Sequence, residues 1–358
     1  MKSNLRDNLY MVWAIGSKDI LGALKNRNTR INIIMIMGML VFFYWASTLR
    51  PFDKRIDTAV YDEGNSSLTS GTGELSDGYS FRFYDATSVH EMERMMGYKQ
   101  LGVVIPADFD QTLASGGEPT LTGYVLWVHR ARAAELEVKY SSKFTELLGQ
   151  PVHVKIGENF IMPAPDVETS GVHFHILYAT LFVVISLVPA LMMEEKRTKT
   201  LDALLVSPAS AGQVVLGKAI AGLFYALVGG GWFLALNRAT VINWGLALIA
   251  FVFCALFSIG LALTMGSFVR SQQHMVIWML PVIAFLIIPA LFSQEPNLAP
   301  GLKAIFSWLP TSALVRIFQF SMSSGAPLDQ LLTNVAVALG GIVLAFAPVV
   351  WKVRRADR

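Results

Sequence analysis

The chain has 358 residues, 53% of them hydrophobic and 15% charged, with a mean hydropathy of +0.48. That balance excludes an ordinary soluble domain. The net charge of +3 gives no footing for a nucleic-acid partner, and the single cysteine, Cys254, excludes an intrachain disulfide. Residues 3–28 predict an amphipathic helix, because Leu5, Leu9, Val12, Trp13, Gly16, Ile20 and Leu24 recur at three- and four-residue spacing. Ser3 suits its cap, and Lys25, Arg27 and Arg30 suit an anionic inner leaflet. Segment 1–30 therefore reads as a helix lying on the membrane surface.

Six apolar runs follow, at 31–49, 172–193, 214–236, 244–268, 275–292 and 331–351. Each approaches the roughly 20 helical residues that cross a hydrocarbon core of about 30 Å. None holds an acid or base in its middle, where one costs about 2.5–3.5 kcal/mol on insertion scales. The first run begins too far into the chain for a cleavable signal peptide, so it reads as a permanent span.

Between the first two runs, 50–171 alternates strand-like pieces (56–61, 80–84, 101–105, 120–128, 152–156) with helix-like ones (88–96, 107–114, 132–148). That pattern predicts a small α/β domain. Lys and Arg cluster near the ends that would face inward, among them Lys18, Lys196, Lys218 and Lys352. By the positive-inside rule both termini are cytoplasmic and the 50–171 domain faces the other side. The predicted fold is thus a membrane all-α six-helix transmembrane domain with an inserted extracytoplasmic α/β domain. Residues 172–358 carry the five further spans.

Three features inside the helical part stand out. Gly229–Gly231 reads as a soft spot or, better, a close-packing patch. Pro281 and Pro289 interrupt the fifth span. Residues 294–330 are too apolar for a plain loop and too broken to cross, so short re-entrant or interfacial helices are expected at 303–309 and 312–322.

The segment 194–213 carries most of the functional inference. Glu194 and Glu195 close the second span, followed by Lys196. Thr200 suits the cap of a short helix in which Leu201, Leu204 and Leu205 share a face, and Pro208 stops it. From the residues alone this is either a rigid apolar peg in the cytosol or a surface turn whose leucines dip into lipid.

The pattern E-E-K-x-x-x-T-L-D-x-L-L-V-S-P from Glu194 to Pro208, followed by V-V-L-G-K-A, resembles the signature of type-2 ABC transporter permeases. LGVVIPADFDQTL at 101–113 and SWLPTSALVRIFQFS at 307–321 resemble the subgroup with a large domain after the first span. The resemblance implies that 194–208 seats in a cleft of an ATPase subunit, with residues 5–28 beside it as a connecting helix. It implies two permease copies, either a homodimer or a pair of paralogues, with two ABC ATPase subunits in a bacterial inner membrane. It also implies a central path lined by the second and fifth spans, with Phe182, Ile185, Trp278, Phe285 and Ile288 as candidates.

The chain supplies no nucleotide site of its own. Gly212 to Ala219 nearly spells a phosphate loop, but Ala219 stands where a magnesium-binding hydroxyl is required. No cofactor is expected in this chain; ATP and Mg2+ belong to the partner ATPase, and the chain is not expected to be an enzyme. His173 and His175 point to different helix faces and read as interfacial residues, not metal ligands. The spans lack the acids of ion relays, so an amphiphilic or lipophilic cargo moving outward is expected. The rival reading is a membrane-anchored sensor whose outer domain binds a ligand without transport.

Overall fold

The computed structural model describes residues 5–48, 55–70, 75, 78–96, 99–162, 165, 172–197, 210–269, 271–293 and 298–356. Two compact units divide the chain. One gathers Met1–Thr48, Gly171–Ser321 and Ala326–Arg358, and the other Leu49–Ser170 with Met322–Gly325.

The first unit is helical. It opens with α1 (Leu5–Lys25) and α2 (Arg27–Thr48). Among the described residues five helical stretches are long and apolar enough to cross a membrane: His173–Met193, Gly212–Leu236, Trp244–Phe268, Gln273–Phe292 and Leu328–Lys352. The run expected at 31–49 lies on α2, whose apolar stretch among the described residues is the shorter Thr29–Met39.

The α/β unit consists of β1 (Arg55–Asp62), β2 (Ser80–Ala86), α3 (Val89–Met95), β3 (Leu101–Ile105), α4 (Phe109–Ala114), β4 (Thr120–Leu126), α5 (Ala133–Leu148), β5 (His153–Lys155) and β6 (Phe160–Ile161). The sheet runs β2-β1-β3-β4-β5, with β6 on β4; β3 and β4 are antiparallel and the other pairs parallel. The period-2 alternation of strands sorts side chains to two faces. Ile56, Val60, Leu121 and Val125 join Tyr140 and Phe144 of α5 on one face. Ala59 and Val104 meet Met92 and Met96 on the other. Central β3 is buried at every residue, as a strand covered on both sides must be.

The predicted 120–128 strand ends early. Trp127–Arg132 turns into a 3-10 helix, and Arg130 stacks on the Trp127 ring at 4.3 Å. Burial and the neighbouring Arg132 hold His129 below the usual histidine pKa, and burial pushes the Tyr140 hydroxyl up to about 12.

Glu137 ties α5 to the end of β5, its carboxylate accepting from Ile156 N at 2.7 Å and Gly157 N at 2.8 Å. Glu137→Ala removes both charge-assisted bonds, a local loss of about 1.5–3 kcal/mol. Trypsin cleavage within α5 at Lys139 is then expected to accelerate about tenfold or more, while Glu137→Gln, which keeps an acceptor, loses less.

Later helices of the first unit are α6 (Val172–Arg197), α7 (Ala211–Ala226), α8 (Trp232–Leu236), α9 (Trp244–Phe268), α10 (Gln272–Phe292), α11 (Pro300–Ser307), α12 (Pro310–Ser321) and α13 (Leu328–Ala356). A π-helical turn, Leu227–Gly231, joins α7 to α8. Helix α9 sits centrally because it is built for close approach: Ala247, Ala250, Cys254, Ser258 and Ala262 are buried at three- and four-residue spacing. Small residues let backbones near one another where lipid offers no hydrophobic drive. Thr264 Oγ1 donates to Ala345 O of α13 at 2.8 Å, and the Lys352 ammonium donates to Ser267 O. Helix α12 is buried on nearly every side, from Thr311 to Phe320.

Candidate coupling site and membrane path

The end of α6 and the start of α7 flank the 194–208 segment. Glu194, Glu195 and Lys196 occupy the last turns of α6, and Thr200, Leu201, Leu204, Leu205 and Pro208 lie outside the described residues. Beyond them Ser210 opens α7 with a capping box. Its hydroxyl accepts from Gln213 N at 3.3 Å, and its own N–H donates to Gln213 Oε1 at 2.8 Å. Residues 212–219 are therefore helical from the first turn, not a phosphate-cradling loop.

Gln213 has a second task. Its Nε2 donates to Asn8 Oδ1 of α1 at 2.7 Å. Further along the same seam Gly16 of α1 faces Gly217 of α7. A Cβ on Gly217 would stand 2.6 Å from Ile15 Cγ2 and 3.1 Å from Val12 O, so the two backbones meet only because Gly217 has none.

Next to Gly217 on α7, Lys218 Nζ lies 3.3 Å from Asp19 Oδ2, with the two side chains 4% and 6% exposed. A buried pair of this kind is expensive to make and more expensive to break, so it fixes register. Tyr225, on the same helix, is buried with a hydroxyl that has no partner among the described residues.

This seam adds two details to the sequence reading. The stripe expected on α1 divides: Val12 and Gly16 pack on α7, whereas Leu9, Trp13 and Leu24 are exposed. The buried face is instead Val12, Ile15, Asp19 and Ala23, rotated because the two-glycine contact sets it. Lys218, counted among the inward-facing charges, is buried against Asp19. The available signal was an acid on the apolar side of α1, three residues from Gly16, and a base within an apolar helix, next to Gly217.

Of the candidate path residues, Trp278 and Phe285 come together. They line an apolar cavity of about 480 Å³ with Phe257, Pro281, Pro310 and Leu344. Phe182 stacks on Tyr178 with ring centroids 5.5 Å apart, Ile288 is 47% exposed, and Ile185 is fully buried within the helical unit. Ser186, next to Ile185, touches Met279 across the α6–α10 seam, Oγ to Sδ 3.7 Å.

His173 is buried, its Nε2 without a partner among the described residues, while His175 is half-buried. No three His, Cys, Asp or Glu gather to hold a metal ion among the described residues.

Long apolar helices packed through small residues and buried hydroxyls define a multi-pass membrane protein. A family model described as ABC-2 family transporter protein matches residues 31–351. The chain belongs to that family: it is the permease, a membrane transport subunit and not itself an enzyme, of a kind that generally pairs with an ABC ATPase. No curated protein gives a match.

Proposed function

We propose that the chain is the membrane half of an ATP-driven exporter. In this reading α2 completes a set of six spans, both termini lie in the cytoplasm of a bacterial inner membrane, and the α/β unit faces outward. Two copies of the permease assemble with two ABC ATPase subunits that supply ATP and Mg2+. A pair of paralogues replaces the homodimer without altering the mechanism. The ATPases seat on 194–208, and their closure moves α6 and α7. An amphiphilic or lipophilic cargo then passes outward along Phe182, Trp278, Phe285 and Ile288, with Ile185 packed behind them.

The observation that carries this is the seam between α1 and α7. Force delivered to 194–208 enters α7 at Ser210, and the Gln213, Gly217 and Lys218 contacts make α1 move with it. A segment joined to one helix would only flex; one flanked by a locked helix pair transmits displacement. The apolar lining of the Trp278–Phe285 cavity favours a lipophilic cargo over an ion.

Leu204→Asp with Leu205→Asp places two charges on the apolar face of the peg. Co-purification of the ATPase is expected to fall by tenfold or more while membrane insertion is unchanged. Undiminished ATPase recovery with the double variant would refute the coupling role.

A further inference from the structure

A cavity of about 450 Å³ with charged and hydroxyl groups in its wall lies where α10 ends and α13 begins, walled by α11 and α12. It lies far along the chain from the coupling segment and shares no lining residue with the Trp278–Phe285 cavity. Lys303 and Arg316 supply two positive charges to its wall against the single carboxylate of Asp329. Thr333 and Asn334 add hydrogen-bonding groups from the first turns of α13. Ser312, 1% exposed, lines the same cavity, and its hydroxyl has no partner among the described residues. A buried hydroxyl without a partner is costly, and one in the wall of a cation-rich cavity is accounted for by an acceptor that the site receives.

The surroundings narrow the acceptor. The cavity borders Ser293, at the end of one membrane-length stretch (Gln273–Phe292), and Asp329, near the start of another (Leu328–Lys352). Around it Leu302, Ile305, Trp308 and Leu332 are exposed. An exposed tryptophan and aliphatic residues around a basic, hydroxyl-rich hollow are the composition of a membrane–water interface. The abundant anion at that level is a phosphoryl group, which guanidinium and ammonium groups bind through charge-assisted hydrogen bonds.

The geometry points to a phosphoryl-binding site in this cavity. Arg316 and Lys303 hold the anionic oxygens, Ser312 donates to them, and Asp329 limits affinity by repulsion. This is independent of the direction of transport and of the ATPase partner.

The test is calorimetric titration of the full-length chain in a non-ionic detergent with three probes. They are dihexanoyl phosphatidylglycerol below its micelle concentration, inorganic phosphate, and dihexanoylglycerol, which lacks phosphate. Saturable binding of the phospholipid alone assigns the site to a lipid headgroup; binding of both phosphate-bearing probes assigns it to the phosphoryl anion from either source. Lys303→Gln is expected to weaken binding about fivefold, and Arg316→Gln more than tenfold. Asp329→Asn, at an exposed position, is expected to tighten binding several-fold, a gain that misfolding cannot mimic. The proposal is overturned if dihexanoylglycerol binds as tightly as the phospholipid. It is equally overturned if neither phosphate-bearing probe binds, or if Lys303→Gln and Asp329→Asn leave affinity unchanged.

Discussion

Asp19→Ala is expected to destabilise the α1–α7 pair by about 3–5 kcal/mol, because it strips a 4% exposed lysine of the carboxylate 3.3 Å from it. The size follows from asymmetry. A buried pair contributes little net stability against apolar residues of equal volume, yet removing one member leaves the other's desolvation uncompensated. The double variant Asp19→Leu, Lys218→Met should therefore recover most of what either single change loses. Thermal unfolding of the four proteins in one detergent gives the coupling energy as a double-mutant cycle. If the double loses the sum of what the two singles lose, the pair is not coupled and the seam is held by Gly16 and Gly217 alone. The same four proteins separate structure from work. An apolar seam that restores stability but not cargo-stimulated ATP turnover would assign the ion pair a part in the stroke itself.

Gly230→Ala is the second change with a large expected effect. Gly230 lies in the π-helical turn Leu227–Gly231, against α6. A Cβ there would overlap Thr180 Oγ1 and stand 2.9 Å from Thr180 Cβ and 3.0 Å from the Phe251 ring. Thr180 has little room to yield, since its hydroxyl donates to Ile176 O at 2.7 Å and its β-branched side chain is fully buried. Overpacking of this kind costs about 1–3 kcal/mol, and the affected seam joins two helices that the transport reading requires to move together. Gly231→Ala serves as the control. Its nearest neighbours are 3.7 Å away, so unfolding temperature should not change. Thr180→Ala combined with Gly230→Ala removes the overlapped atom and should restore part of the loss. Equal tolerance of alanine at 230 and 231 would show that the turn relaxes, and that the glycines serve flexibility and not packing.

Legibility in the sequence tracked how local each determinant is. The strands at 101–105 and 80–84, the helix ending at Leu148 and the helices on either side of Pro310 were readable because hydrophobic period, caps and prolines act within a few residues. The apolar stretches were readable for the same reason. The rotation of α1 was not, since Leu9, Trp13 and Val12 are equally apolar, and only the contact between Gly16 and Gly217 decides which side turns inward. Nor was the partner of Lys218, for nothing within a helical turn of it announces Asp19. The early end of β4 reflects the stacking of Arg130 on Trp127, which a count of β-branched and aromatic residues cannot register. At the candidate path, spacing put Ile185 and Phe285 in one class, whereas packing buries the first and leaves the second 66% exposed on a cavity wall.

The bond from Lys218 to Asp19 bridges 199 positions of sequence. At ribosomal speeds of about 5–20 residues per second, roughly 10–40 s separate the synthesis of the two groups. During that interval α1 is already made, and Asp19 shares its charge with the half-exposed Lys18, 3.9 Å away, which keeps the pair hydrated. The helix is thus held at the aqueous surface during biogenesis by its own charged groups, and arrival of Lys218 on α7 lets it dock.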